Sequence, residues 1–357
     1  MHLLSVQLKN FKKFRNQTMD FAEPETGLAK PLVVLVGENG SGKSTILQAI
    51  AATLGTATRR IDNPALLDWP GFNLDLVGAS WRMPSETIIE VGFSEDELNA
   101  TLEYFEKVPS LSAEPNVVRP GSHRVARLTM KQRKIDAENA AQKFQFRGRE
   151  YAKQVVKIVD VGQRVFERVG SVFWYTEHRT ATSLTADVEP TGPLRFDENL
   201  LRRRLADIMQ FHERVEKKEY ELRPGQRDLF AEVEKNWAAV FPNRRFEGAV
   251  PRTDIDEVLS EPWFYLYDGH RQYELSELSG GERAIFPILF DFANWHINNS
   301  IILIDELELH LHPPLQQALI RALPRLGSNN QFIITTHSDW VAQLVPETAV
   351  YRVEASQ

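Results

Sequence analysis

The feature that most constrains the fold is the loop at residues 37–44, Gly-Glu-Asn-Gly-Ser-Gly-Lys-Ser. It matches the pattern G-x-x-x-x-G-K-[ST], in which glycines let successive backbone N–H groups point at phosphate oxygens. The apolar run 32–36 precedes the loop, and the helix-compatible run 45–50 follows it. Strand, loop and helix in this order predict a phosphate-binding loop in an α/β fold.

The side chains of this loop have separate expected roles. Lys43 places a positive charge near the β and γ phosphates, and the Ser44 hydroxyl can ligate Mg²⁺. The helix that begins near Lys43 adds the positive end of its dipole. We therefore expect ATP and Mg²⁺ as cofactors. The expected nucleotide contacts are Gly37, Asn39, Gly40, Gly42, Lys43, Ser44 and Thr45.

A second motif, residues 301–306, consists of four aliphatic residues followed by Asp305 and Glu306. A continuous apolar run suits a central parallel strand that is buried on both faces. In an open α/β sheet the ligand lies beyond the carboxyl ends of such strands. We expect Asp305 to hold Mg²⁺ through a water molecule and Glu306 to polarise the water that attacks the γ-phosphate.

A third motif, residues 332–338, is another buried-strand pattern, and it ends in His337. A histidine at a strand end is more often a satisfied core or surface residue than a catalytic one. The order of the motifs favours a sensor of the γ-phosphate.

Residues 278–283, Leu-Ser-Gly-Gly-Glu-Arg, lie between the first two motifs in the chain. Gly280 and Gly281 allow backbone N–H groups to approach an anion, and Ser279 can donate a hydroxyl hydrogen bond. Taken alone, the segment could also be a flexible turn before a helix.

The phosphate loop, the Leu-Ser-Gly-Gly-Glu segment, the aliphatic-Asp-Glu strand and the strand-His occur in the order found in ABC-type ATPases, which the chain closely resembles. Residues 3–14 and 304–313 resemble the RecF, SMC and OLD group, whose stand-alone ATPase subunits occur in bacterial anti-phage defence systems. The resemblance covers about residues 1–93 and 260–345. It implies a P-loop NTPase head with a mixed sheet and flanking helices. It also implies a homodimer or higher homo-oligomer in which Ser279, Gly280 and Gly281 contact the γ-phosphate held by another subunit.

Three regions are expected: 1–93 with the phosphate loop, a mainly helical insertion lobe at 94–255, and 256–357 with the remaining motifs. Residues 171–179 read as a core strand inside the insertion. This strand ends where the family usually has a glutamine that touches the metal or its water. Glu177, His178 and Arg179 are the candidates here, with simple solvation of a strand end as the alternative.

Composition excludes several classes of protein. The chain has 357 residues, no cysteine and a net charge of −7. Disulfides and cysteine-ligated zinc are therefore impossible. No apolar run is long enough to span a membrane and the start of the chain has no signal-peptide pattern, so we expect a cytoplasmic location and no membrane partner.

Residues 123–157 carry ten Lys or Arg against three acids, with Phe144, Phe146 and Tyr151 interspersed. Such a stretch could bind nucleic acid by stacking on bases, form a solvated face, or dock an acidic partner. A basic turn at 10–15 could likewise lie over the nucleotide or be an exposed hairpin.

Two functions from different classes follow. The first is a regulatory ATPase of a defence complex that controls a separate effector, such as a nuclease or toxin. The second is a RecF-like repair ATPase that clamps DNA. OLD nucleases carry a catalytic domain after the ATPase, and here only a short segment follows His337, so we expect an ATPase without its own effector.

Overall fold

The structure is a computed structural model that describes residues 1–78, 83–108, 117–158, 162–177, 198–223, 225–252 and 262–354. It divides into two compact units. The first unit comprises residues 1–177, 297–307 and 328–357, and the second comprises 178–296 and 308–327. Each unit therefore combines segments that are distant in the sequence.

The strands and helices of the described residues are numbered in chain order. The strands are β1 His2–Phe11, β2 Phe14–Asp20, β3 Leu32–Val36, β4 Glu86–Gly92, β5 Val125–Lys131, β6 Lys134–Ala137, β7 Val172–Tyr175, β8 Arg245–Val250, β9 Trp263–Tyr267, β10 Gln272–Glu274, β11 Ile301–Ile304, β12 Gln331–Thr336 and β13 Val350–Arg352. The helices are α1 Lys43–Ala57, α2 Glu95–Glu106, α3 Ala140–Phe144, α4 Gly148–Ile158, α5 Glu198–Glu216, α6 Leu229–Val240, α7 Gly280–Asn294, α8 Pro313–Ala322 and α9 Asp339–Gln343.

The first unit contains two five-stranded sheets. One is antiparallel, in the order β2-β1-β4-β5-β6, and the other is parallel, in the order β13-β3-β12-β11-β7. Every residue of β11 and β12 is buried, as expected for central parallel strands. Helix α1 contacts strands of both sheets, and its apolar residues are buried on most of its sides. Strands and flanking helices therefore form the α/β architecture that the sequence predicts.

The second unit contains a small antiparallel sheet, β10-β9-β8, with helices α5 to α8. Strands β9 and β10 form a hairpin, and Gly269 adopts the positive φ of 99° that its turn requires. Leu201 and Leu205 on α5 and Trp237 on α6 are fully buried. Trp237 and Phe286 lie edge to face, with ring centroids 5.7 Å apart.

The region 94–177 departs from the mainly helical insertion expected at 94–255. Ser94 does cap α2, but β5 and β6 follow and extend the antiparallel sheet of β1 and β4. In β5 the buried residues Ala126, Leu128 and Met130 alternate with exposed ones, which is the period of a half-buried strand. The basic residues on its exposed face concealed that period, and residues 94–177 lie in the same unit as the phosphate loop.

The aromatic residues of the basic stretch 123–157 are not exposed on its surface. Phe144, Phe146 and Tyr151 are all buried, so these rings are not exposed for stacking on bases. On the exposed face, Arg133 forms an ion pair with Asp75, and Lys131 with Glu86. Much of this local charge is therefore balanced by acidic side chains. Over the ranges that the structure describes, no helix combines the length and apolar character needed to cross a membrane.

Candidate active site

The phosphate loop joins β3 to α1, as predicted. Gly42 precedes the helix with a φ of 103°, and a Cβ there would lie 2.6 Å from a ring carbon of Phe14. A Cβ at Gly37 would lie 2.4 Å from the carbonyl oxygen of Val353. Both distances are too short for any side chain, so these two positions require glycine. Gly40 also has a positive φ, 75°, but no atom lies within 4 Å of its Cβ position.

Lys43 curls back over the loop. Its Nζ donates hydrogen bonds to the carbonyl oxygens of Gly37, at 2.7 Å, and Glu38, at 2.9 Å. The ammonium group is thus held inside the concave side of the loop. This position places a positive charge where the loop N–H groups would receive an anion.

A hydrogen-bonded network joins the loop to the end of β11. The Ser44 hydroxyl donates to Asp305 Oδ1 at 3.0 Å, and the Thr335 hydroxyl donates to the same oxygen at 2.5 Å. A serine hydroxyl and a carboxylate are oxygen ligands of the kind that Mg²⁺ prefers. The donor set therefore fits the predicted metal site at Ser44 and Asp305.

Asp305 is buried, and burial raises its pKa, although hydrogen bonds from Thr335, Ser44 and Trp69 oppose the rise. The carboxyl of Glu177, just beyond β7, adds a repulsion that also raises the pKa. A cation at this place would favour the ionised form of Asp305. Glu177 therefore lies near enough to the predicted metal site to influence it electrostatically.

Glu306, the second residue after β11, has a φ of 47°, a left-handed conformation that is uncommon for a residue with a side chain. Its backbone N–H donates to the Thr335 hydroxyl oxygen at 2.8 Å, which helps to hold the turn. His337 follows the end of β12 and is exposed. One threonine on β12 thus contacts both acidic residues that end β11.

The basic turn between β1 and β2 packs on the phosphate loop. Lys13 Nζ donates to the carbonyl oxygen of Gly40 at 2.9 Å, and the Phe14 ring lies against Gly42. Lys12 Nζ donates to Gln48 Oε1 at 2.7 Å and to the Gly71 carbonyl oxygen. Of the two expectations for this turn, the structure favours the one next to the nucleotide site.

The Leu-Ser-Gly-Gly-Glu segment lies in the second unit, at the start of α7. Ser279 is the N-cap of this helix and is exposed, as is Gly280. A Cβ at Gly281 would lie 2.7 Å from Leu315 Cδ2, whereas no atom of the described residues lies within 4 Å of a Cβ at Gly280. Packing among the described residues therefore explains why residue 281 is a glycine, but it does not explain why residue 280 is one.

Sequence comparison agrees with this geometry. Residues 5–222, more than half of the chain, match the AAA domain, and residues 179–342 match the AAA ATPase domain. This chain belongs to the AAA domain family. It binds nucleotide and is an ATPase.

Curated relatives of this AAA ATPase include a retron Ec83 probable ATPase of Escherichia coli, 24% identical over the whole chain and 72% of the relative. The Septu protein PtuA of Bacillus mycoides is 25% identical over 93% of the chain, which spans only 38% of that relative. A DNA replication and repair protein RecF of Exiguobacterium is 27% identical over 30% of the chain and 27% of the relative.

Among solved structures, an SMC head bound to the C-winged helix domain of ScpA has a TM-score of 0.51 at 16% identity. The likeness covers 97% of this AAA ATPase and 92% of the head. At this identity it establishes the fold alone, that of an SMC head.

The first unit of this AAA ATPase brings together most of the predicted site residues. The phosphate loop, including exposed Asn39 and half-buried Thr45, lies in the same unit as Asp305, Glu306 and His337. The second unit holds Ser279, Gly280 and Gly281. Of the residues proposed to end the strand near 171–179, His178 and Arg179 lie outside the described residues.

Two contacts were not foreseen from the sequence. Thr335 bridges Asp305 and Glu306, and the Trp69 indole N–H donates to Asp305. Thr335 stands within the predicted strand 332–337, so the pairing of β12 with β11 would have pointed to it. Trp69 lies in an irregular segment between α1 and β4, where no sequence pattern indicates a contact with β11.

Proposed function

We propose that this ATPase works as a homodimer that holds ATP between two copies of the chain and controls a separate effector of an anti-phage defence complex. Each phosphate loop would bind one triphosphate, and Ser279 and Gly280 of the second copy would complete the site. Hydrolysis would remove the γ-phosphate contacts that join the copies and so favour the open state.

The observation that carries the dimer is the exposed start of α7. Ser279 and Gly280 occupy the first turn of a helix of 15 residues, where the backbone N–H groups and the helix dipole favour an anion. The open space around Gly280 leaves room for the close approach of a phosphate group. A second copy of the chain supplies such a group when its phosphate loop holds ATP.

The roles within the first unit follow from its contacts. Lys43 would bind the phosphate oxygens, and Ser44 with Asp305 would hold Mg²⁺, which offsets phosphate charge when it is bound. Glu306 would orient and polarise the attacking water, because it follows Asp305 in the chain just beyond the end of β11. His337 would contact the γ-phosphate from the end of β12.

The similarity to the retron ATPase and to the Septu protein supports the defence role. The RecF similarity covers 30% of the chain, and the buried aromatic residues of 123–157 give base stacking no support. We therefore propose an effector protein, and not DNA, as the main partner. Its presence is tested by isolating the native complex from the host and identifying the proteins that co-purify in stoichiometric amounts.

A mixing experiment tests the composite site. K43A removes the phosphate-loop charge, and G280W fills the open space at the start of α7. Each variant alone should lose hydrolysis, but a mixture should recover activity, because a mixed dimer keeps one site with an intact Lys43 and an intact Gly280.

Two controls define this result. H270W places the same side chain at an exposed position in the turn between β9 and β10, and this variant should remain active if it folds. Failure of the mixture to recover activity while both variants are folded would refute a site shared between copies. Full activity of G280W would refute it equally.

A further inference from the structure

The carboxylate of Glu282, in the first turn of α7, is held by four donor groups from three residues. Its Oε2 accepts the Ser279 backbone N–H at 2.8 Å and the Ser279 hydroxyl at 2.5 Å. Its Oε1 accepts the Tyr273 hydroxyl at 2.7 Å and forms an ion pair with Arg244. A carboxylate has about four lone-pair directions, so Glu282 has no acceptor capacity to spare.

These partners keep Glu282 charged in a buried place. Burial acts to raise its pKa, but the hydrogen bonds from Ser279 and Tyr273, together with the charge of Arg244, outweigh this effect and lower it. The partners come from separate elements, because Arg244 precedes β8 and Tyr273 lies on β10. The small sheet of the second unit thus fixes the first turn of α7.

The network sets a condition on Ser279. Its hydroxyl hydrogen points to Glu282, so it must leave that carboxylate before it can be donated to a phosphate. A buried negative charge one helical turn away would also repel the phosphate unless a cation offsets it. Arg244 supplies this cation, and Tyr273 replaces part of the hydrogen bonding that Glu282 loses.

We propose that Arg244 and Tyr273 are positioning residues that neutralise and fix Glu282, so that the Ser279 hydroxyl can be released to the γ-phosphate held by a second copy of the chain. This inference rests on the proposed dimer. It makes the β8-β9-β10 sheet the part of the second unit on which completion of the ATP site depends.

The test compares R244M and Y273F with matched controls. R245M changes the neighbouring arginine, which pairs with Glu247, and Y267F removes a hydroxyl that donates to the Gly269 carbonyl oxygen. ATP-driven association is measured by sedimentation and ATP binding to the dilute chain by fluorescence. R244M and Y273F should weaken association about tenfold with unchanged ATP binding, and the controls should leave both unchanged.

E282Q separates positioning from general damage. A glutamine keeps the oxygen that accepts from Ser279 but has no charge for Arg244 to neutralise. If an unpaired buried carboxylate prevents R244M from folding, the E282Q background removes that carboxylate and lets the double variant fold. R244M should therefore have little further effect on association in the E282Q background. An equal loss in both backgrounds, or unchanged association in R244M and Y273F, would overturn the inference. If the unchanged protein does not associate with ATP, the dimer itself is refuted and this inference with it.

Discussion

Ser44 and Asp305 are joined by a hydrogen bond of 3.0 Å across 261 residues of sequence. The first stands in the opening turn of α1 and the second at the end of β11. The fold of the first unit therefore brings the phosphate loop and the acidic strand end into contact.

This contact predicts the metal dependence of hydrolysis. D305N removes the negative charge of the Asp305 carboxylate and S44A removes a hydroxyl ligand, so the Mg²⁺ concentration for half-maximal ATPase activity should rise on the order of tenfold or more in each variant. Binding of Mn²⁺, followed by electron paramagnetic resonance, should weaken in parallel. An unchanged metal requirement in both variants would show that these residues do not hold the ion.

Glu306 should separate binding from hydrolysis. E306Q keeps the size and hydrogen bonding of the side chain but cannot polarise water, so turnover should fall about 10²–10⁴-fold. ATP binding should remain, and the ATP-bound dimer should accumulate, as seen by sedimentation. Rapid turnover by E306Q would remove Glu306 from the proposed role.

Thr335 should matter beyond its size. T335V leaves the Glu306 N–H without its acceptor and Asp305 without its donor at 2.5 Å, so it should lower the free energy of unfolding by about 1–3 kcal/mol and reduce turnover. The matched control is T87V, because the buried Thr87 hydroxyl has no hydrogen-bond partner among the residues that the structure describes. T87V should be neutral or stabilising. Equal free energies of unfolding for T335V and T87V in denaturation experiments would contradict the assigned contacts.

The ion pair of Arg202 with Glu274 should make stability depend on pH. Burial acts to raise the pKa of Glu274, but Arg202 and the donors of Ser276 outweigh it and lower the pKa to about 2. A group with a lowered pKa stabilises the fold above its unfolded value of 4.5, and this contribution is lost as the pH falls toward 2.

Replacing Arg202 tests this dependence. R202M should destabilise the protein by about 3–5 kcal/mol near neutral pH, and less as the pH falls toward 2. The exposed pair Arg124–Glu95 is the control, and R124M should change stability by less than about 1 kcal/mol. Thermal unfolding between pH 2 and pH 7 measures both. A difference that does not depend on pH would contradict the prediction.

The basic segment should contribute little to DNA binding. Lys131 and Arg133 already pair with acidic side chains, and Lys134 pairs with Asp136. Replacing all three by glutamine should leave DNA affinity nearly unchanged in fluorescence anisotropy at two salt concentrations. A clear loss of affinity with a smaller salt slope would favour the RecF-like alternative.

Short-range chemistry made much of this protein predictable from its sequence. The phosphate loop, the buried strands β3, β11 and β12, the cap of α2 and the Asp268–Gly269 turn each follow from a local pattern of residues. These patterns act within a few residues, where glycine conformations, capping hydrogen bonds and the alternation of apolar residues are set by the sequence itself.

Only the tertiary structure decided which distant groups meet. The contacts of Thr335 with Asp305 and Glu306 depend on the register of β12 against β11, and the contact of Arg244 with Glu282 depends on how the small sheet packs on α7. The burial of Phe144, Phe146 and Tyr151 likewise follows from packing. Such pairings arise because folding buries apolar surfaces against each other. A local sequence pattern shows that a surface is apolar, but it does not show which distant element covers that surface.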